Sequence, residues 1–333
     1  MRSTATLVVG ACLACGLTAV GQPQPPPADT VAGGIPGVVT AGTRVQVIKD
    51  GFTGTEGPIA LSDGSLIFTE TNANRITRID ADGRTSTFLE NTNGANGLAF
   101  DTKGRLIAVQ TTPGDTKVGV IYPKGSEAVL ADNFDGKPFG RPNDLVIDRK
   151  GGVYFTEPGP NAAQPIAPGA VPAPPATPPL PPSVYYIPPG GKAIRIAEGI
   201  ERPNGIQLSP DEQTLYVNNT VGEYMIAFDI NPDGTVRRRR DFAKYEGVTS
   251  NAQGVRSGAD GLAIDQEGRV YAATTAGVQV FDAKGAHLGT IPVSRAPQNI
   301  AFAGADKKTL YIVGRGAAWK VQLLTPGYQG RAK

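Results

Sequence analysis

The sequence predicts an all-β fold, a six-bladed β-propeller with four-stranded blades, and three observations carry that reading. A strand–turn–strand unit recurs six times along the chain. Further alternating runs, joined by Asp-Gly or Lys-Gly turns, follow the copies as hairpin-like pairs. No stretch longer than ten residues shows helical periodicity with caps. A row of β-sandwich domains would need a longer period and linkers between domains.

The fullest copy runs from Arg141 to Pro158. A polar opening (Arg141, Asn143, Asp144) precedes the apolar run Leu145 to Ile147, a charged Gly turn and the returning strand Val153 to Phe155. Equivalent turns fall near Gly64, Gly104, Gly151, Gln213, Gly268 and Lys308, at intervals of 40, 47, 62, 55 and 40 residues. The longest interval holds a Pro/Ala tract at about 158–182, read as an irregular surface insertion. Without it the period settles at the ~40–50 residues of a four-stranded blade.

Taken in order, residues 1–21 read as an export signal peptide. Arg2 is followed by an uncharged segment with an apolar centre, and Ala19-Val20-Gly21 resembles a signal-peptidase site. The segment is too short to anchor as a membrane span. This predicts a periplasmic or secreted protein. Lipid attachment at Cys12 or Cys15 is the competing reading, and cleavage after Gly21 leaves no cysteine, hence neither disulfide nor thiol chemistry. Residues 22–42, rich in Pro, Gly and Ala, read as a flexible leader. The propeller is expected over 43–325, closed by pairing Arg44 to Ile48 with Ala318 to Leu323.

Composition excludes several function classes. Apolar content of 40% and charged content of 19% suit a globular protein and not a membrane bundle. A formal net charge of +2 gives no basic footprint for nucleic acid. The run Arg237 to Arg240 suits a solvated edge that discourages strand addition. His287 is the single histidine and reads as a surface residue, which argues against a Ser-His-Asp triad and excludes a histidine-rich zinc site. No Walker A pattern appears, so a nucleotide cofactor is unsupported. Trp319, the single tryptophan, lies on the closing strand and reads as core.

The functional signal lies in the six openings. They read Thr55-Glu56-Gly-Pro, Gly94-Ala-Asn96-Gly, Arg141-Pro-Asn143-Asp, Arg202-Pro-Asn204-Gly, Gly258-Ala-Asp260-Gly and Ala296-Pro-Gln298-Asn. In a propeller the innermost strands line the central channel, so Glu, Asn, Asn, Asn, Asp and Gln should converge near one mouth. Oxygen ligands without His or Cys describe a hard-cation site, Ca²⁺ ahead of Mg²⁺, Mn²⁺ or Zn²⁺. Asn-Gly and Asp-Gly also make turns by bonding their own backbone. Six in phase favour a site over six coincident turns.

These residues carry a resemblance. Glu56-Gly-Pro, Arg141-Pro-Asn-Asp with Tyr154-Phe-Thr-Glu-Pro158, Arg202-Pro-Asn-Gly with Ser209-Pro-Asp, and Asp260-Gly-Leu-Ala-Ile-Asp265 resemble the senescence-marker-protein/gluconolactonase/luciferin-regenerating-enzyme-like family. The likeness extends from about Gly51 to Leu323. It implies Glu56, Asn143, Asn204 and Asp260 as metal ligands, Asp260 as general base and Arg141 as a substrate contact. Asn96 is expected to join Arg141 in binding substrate hydroxyls or carboxylate. The chain departs from the family at Thr156-Glu157-Pro158, where Asp is common, and at Val109-Gln110-Thr111. Glu157 is therefore expected at the substrate. The implied activity is metal-assisted hydrolysis of a lactone, in the first place a sugar lactone. An exported propeller that binds a partner without catalysis, and a metal-dependent phosphotriesterase, are the rival readings.

Overall fold

Asp148 to Gly152 shows how the repeat makes its hairpins. The Gly151 N–H donates to the Asp148 carbonyl at 3.0 Å, and the Asp148 carboxylate accepts the Lys150 and Gly152 N–H groups at 2.9 and 2.8 Å. Gly151 has φ = +87°, a conformation that a Cβ disfavours. The same turn recurs at Gly64, Gly104 and Gly268, and at Glu212 and Lys307 in the two copies without glycine there. Those last two lie one residue before the expected alignment at Gln213 and Lys308. A side-chain oxygen from Asp211 or Asp306 caps the turn in these copies, as Asp148 does here.

The computed structural model describes residues 25–159, 180–251 and 254–331. Residues 1–21 and most of the Pro-rich insertion lie outside the described residues. The hairpins pair into six small antiparallel sheets set in a ring, a six-bladed β-propeller, as the repeats predict. Blade 1 starts at Thr55–Ala60, blade 2 at Ala95–Phe100, blade 3 at Leu145–Ile147, blade 4 at Pro203–Leu208, blade 5 at Leu262–Ile264 and blade 6 at Asn299–Ala303. Each of these innermost strands touches the next around the axis, and the last touches the first. Helix is confined, among the described residues, to one 3₁₀ turn at Thr71–Ala73, and none is long enough to cross a membrane.

The core lies between blades, where facing sheets interdigitate. Innermost and second strands are buried on both faces; outer strands such as Val236–Lys244 alternate or face solvent. In that outer strand Arg238 and Arg240 pair with Asp229, the solvated edge expected of the Arg237 to Arg240 run. His287 is exposed and Trp319 fully buried. Blade 6 closes the ring, since Arg44–Asp50 pairs antiparallel with Ala317–Gln322, placing Val47 opposite Trp319.

The leader expectation requires correction over residues 25–42. Thr30–Val31 adds a fifth strand to blade 6, and Ala32, Ile35, Val38 and Val39 pack onto Val278, Val280, Ile291 and Trp319. The composition misleads because four well-spaced apolar side chains suffice to cover the blade 5–blade 6 face. Their Pro and Gly neighbours supply turns, with Ile35 bridging Val39.

Candidate metal centre and substrate mouth

The six opening positions form a collar at one end of the axis. Each junction between neighbouring blades carries a hydrogen bond there. Thr69 Oγ1 donates to the Asn96 carbonyl (3.0 Å), Gly97 N–H to that of Asn143 (2.9 Å) and Thr156 Oγ1 to that of Asn204 (2.6 Å). Gly205 N–H donates to the Asp260 carbonyl (3.0 Å) and Gly261 N–H to the Gln298 carbonyl (2.8 Å). At the sixth junction the amides of Asn299 and Gln298 reach Glu56 Oε2 and Oε1, at 3.2 and 3.4 Å.

This geometry explains the Asn-Gly and Asp-Gly pairs better than turns do. A Cβ on Gly57 would lie 2.0 Å from the Asn96 carbonyl oxygen, and one on Gly205 would lie 2.1 Å from that of Asp260. The glycines allow the innermost strands to approach. In blades 1, 2 and 4 the ladder is also interrupted between the site residue or its predecessor and the residue three on, a bulge that re-aims side chains.

With the carbonyls committed to the collar, side-chain oxygens are left over. Asn96 Oδ1, Asn204 Oδ1 and Asp260 Oδ1 are buried and have no hydrogen-bond partner. A buried polar atom without a partner costs roughly 1–3 kcal/mol, so three in one place call for an explanation. The Asn204 amide is held in this sense because its Nδ2 donates to Thr220 Oγ1 (3.0 Å), which itself donates to the Ala259 carbonyl (2.8 Å). Asn143 is likewise buried.

The two carboxylates disfavour each other. Burial, reinforced by the Asp144 charge, pushes Glu56 up to about 7, against the opposing pull of the Asn299 amide and Arg141. Burial and then the Glu56 charge raise Asp260 well above the usual carboxylate range, with Arg315 and Arg141 opposing. A divalent cation would accept lone pairs from these groups and remove their repulsion. The donor set, all oxygen, fits a hard cation, and Glu56, Asn143, Asn204 and Asp260 are the residues that could hold it. Among the described residues no cluster of three or more His, Cys, Asp or Glu is poised to bind a metal. Such an ion would therefore draw on amide carbonyls as much as on carboxylates.

Glu157 is placed differently from the expectation. It is fully buried, and its carboxylate accepts the N–H groups of Gly140, Arg141 and Gly159 at 3.0 to 3.2 Å. Burial raises its pKa and those backbone donors oppose the rise. It shapes the loop that presents Arg141, with its carboxylate turned to those backbone groups. The strand-end position repeats this service elsewhere, since Asn219 Oδ1 accepts the Arg202 N–H (3.2 Å) and Glu70 Oε2 that of Thr53 (2.9 Å).

Other residues at the collar escaped the sequence reading. Asp144 and Asn299 replace glycine in blades 3 and 6, and each accepts the next N–H of its own strand at 2.9 Å. The break in the Gly pattern was the available signal. Arg202 stands before Pro-Asn as Arg141 does, so the repeated Arg-Pro-Asn triplet pointed to both.

The pattern of the SMP-30/gluconolactonase/LRE-like region matches residues 54–315. A gluconolactonase of Zymomonas mobilis subsp. mobilis is 27% identical over 308 residues, covering 87% of this chain and 84% of that protein. A lactonohydrolase of Aspergillus oryzae is 26% identical over 216 residues, covering 60% and 48% of the two chains. The structure of a gluconolactonase from Xanthomonas campestris superposes with a TM-score of 0.71 at 28% identity, over 91% of this chain and 99% of that one. The calcium-binding protein regucalcin from Agrobacterium tumefaciens shares the fold, with a TM-score of 0.65 at 17% identity over 86% and 98%.

Proposed function

The chain belongs to the SMP-30/gluconolactonase/LRE-like family, and from that premise we propose that it is a metal-dependent hydrolase that opens a lactone ring, in the first place that of a sugar lactone. The observation that carries the metal dependence is the trio of buried, unpartnered oxygens on Asn96, Asn204 and Asp260 beside the Glu56 carboxylate. A divalent cation, Ca²⁺ first, held by Glu56, Asn143, Asn204 and Asp260 would supply Lewis acidity to the ester carbonyl and to water.

The chain's own residues do the rest. Asp260 accepts the proton of the attacking water, a role that suits a carboxylate whose basicity burial has raised. Gln298 and Asn299 keep Glu56 in one orientation, so that its charge stays at the axis. Arg141, fixed by its N–H on Glu157, orients the substrate, with the Asn96 amide as a second contact. The Thr220 bond keeps the Asn204 oxygen turned inward throughout.

The test is hydrolysis of a panel of lactones and organophosphates by folded protein, before and after chelation and with Ca²⁺, Mg²⁺ or Mn²⁺ restored. Lactone turnover lost on chelation and regained with one ion is the expected result. Tight ion binding without turnover on any member would assign a binding module instead, and turnover of organophosphates alone a phosphotriesterase. For residues 1–21 the proposal is export, which predicts a mature N-terminus at Gln22 on sequencing; an intact Met1 in exported material would refute cleavage there.

A further inference from the structure

The two carboxylates of the collar are oriented in different ways. Glu56 is held directly by the Asn299 and Gln298 amides, whereas Asp260 Oδ1 has no hydrogen-bond partner. The direction of Asp260 therefore depends on its backbone, and that backbone is held at both ends. Its N–H donates to the Ala273 carbonyl at 2.9 Å, and its carbonyl takes two donors, Gly205 N–H at 3.0 Å and Asn218 Nδ2 at 2.6 Å. Fixing the N–H and C=O of one residue fixes the peptide planes on either side of its Cα, and with them the direction of its Cβ.

Asn218 is itself fixed. It is fully buried on the second strand of blade 4, Thr214–Asn219. Its Nδ2 faces the carbonyls of Asp260 and Gly261, the latter at 3.4 Å, and its Oδ1 accepts the Tyr245 hydroxyl at 2.7 Å. Carbonyls cannot donate, so only this sense of the amide satisfies all three partners. Tyr245 directly follows the outermost strand of blade 4 and is buried, with its ring edge-on to Phe281 of blade 5. Burial holds its phenol well above the usual range, against the pull of the Asn219 backbone, so the hydroxyl stays a donor.

A blade does not require this arrangement. The equivalent second-strand position holds Val109, Ala273 and Val313 in blades 2, 5 and 6, and Thr69 and Thr156 in blades 1 and 3. Each threonine donates to the carbonyl of the next blade's opening asparagine, as Asn218 does to that of Asp260. Blade 4 differs in using an amide whose other end is pinned by a tyrosine.

We propose that Asn218 and Tyr245 are positioning residues for Asp260: the Tyr245 hydroxyl holds the Asn218 amide, and the amide holds the Asp260 backbone so that the carboxylate keeps the direction that proton transfer and cation binding need. The inference rests on the role proposed for Asp260 and adds the residues that enforce it.

The experiment compares Asn218→Ala, Tyr245→Phe and the double variant Asn218→Thr/Tyr245→Phe with the parent, all as the full chain, by lactone kinetics and by calorimetric titration of Ca²⁺. Asn218→Ala and Tyr245→Phe should each lower kcat by about tenfold or more with KM within about twofold, since a small misplacement of a reacting group is costly. Ca²⁺ affinity should fall with kcat, because one carboxylate serves both. The double variant gives blade 4 the side chain that makes this bond in blades 1 and 3, without stranding a buried hydroxyl, and should recover much of both losses. On an Asp260→Asn background, Asn218→Ala should lower kcat and Ca²⁺ affinity by no more than about twofold further, because its effect passes through that carboxylate. Should Asn218→Ala fail to fold, Tyr245→Phe, which removes a single oxygen, takes its place. A lower Tm with kcat and Ca²⁺ affinity unchanged, or losses that multiply with that of Asp260→Asn, overturns the inference and leaves the lactonase reading intact. If the parent opens no lactone, that reading fails and the Ca²⁺ titrations alone decide the positioning role. A parent that neither opens a lactone nor binds Ca²⁺ would remove the role of Asp260, and this inference with it.

Discussion

At Glu56 the burial that suits the proposed ligand also creates a liability. Its pKa of about 7, against the ordinary 4.5, means that between those values the folded chain holds a proton that the unfolded chain has lost. The metal-free fold is therefore more stable at the acid end of that window and loses stability as pH rises through 7. Thermal melts of chelated protein should show a Tm that falls from about pH 5 to about pH 8. Glu56→Gln should flatten the fall, and added Ca²⁺ should abolish it, because the cation takes the proton's place. A Tm that rose over this range without metal would contradict the assignment. Asp260→Asn should lower kcat by about 10²- to 10⁴-fold, the usual contribution of a general base, with folding intact by circular dichroism. These positions were legible in the sequence because six openings in phase expose one position per blade. The hydrogen bonding of Glu157 was not legible, since its chain position matches the mouth while its side chain turns to backbone N–H groups, a direction that sequence phase does not encode.

Among the elements, the innermost strands and the loops that lead into them divide the work. The strands carry the proposed ligands, and their glycines set how closely neighbours approach. Gly205→Ala would drive a Cβ into the Asp260 carbonyl, where backbone stands on both sides and neither can yield cheaply. A loss of about 1–3 kcal/mol is expected, together with weaker Ca²⁺ binding, because the shift moves Asp260 itself. The loops behave differently. Glu157→Ala leaves the N–H groups of Gly140, Arg141 and Gly159 without their acceptor, at about 1–3 kcal/mol for a buried donor. Its kinetic effect should fall on KM, through Arg141, while Ca²⁺ affinity measured by calorimetry stays within about twofold of the parent. A matching loss of Ca²⁺ affinity would place Glu157 at the collar after all. Glu157→Gln, which keeps one carbonyl acceptor, should recover part of both losses. The hairpins themselves were readable from Asp and Gly spacing. The packed segment at residues 25–42 was not, because turn-forming residues outnumber the few apolar side chains that hold it down.

Across the whole molecule, a ring of blades has no hydrophobic centre to pull it together, and closure must come from a junction. Here that junction is the pairing of Arg44–Asp50 with Ala317–Gln322, which makes strands from the two ends of the propeller sequence one sheet. The six repeats and this closing pair were legible because period-2 alternation and turn residues are local properties. That the collar is bonded at every junction was not, since those bonds join residues tens of positions apart. Closure and collar are coupled in consequence: the junction between blades 6 and 1 holds Glu56 through Asn299 and Gln298, so opening the ring would free the Glu56 carboxylate. Trp319 lies fully buried opposite Val47 in the closing pair. Trp319→Ala should cost about 3–5 kcal/mol. Because blade 6 carries the amides that orient Glu56, the variant should also bind Ca²⁺ more weakly at temperatures where it remains folded. Ca²⁺ should in turn raise its Tm by less than it raises that of the parent, because a cation held more weakly stabilises the folded state by less. Differential scanning calorimetry with and without Ca²⁺ reads both effects. An equal Tm gain in the two proteins would show that the closing blade stabilises the ring without bearing on the site.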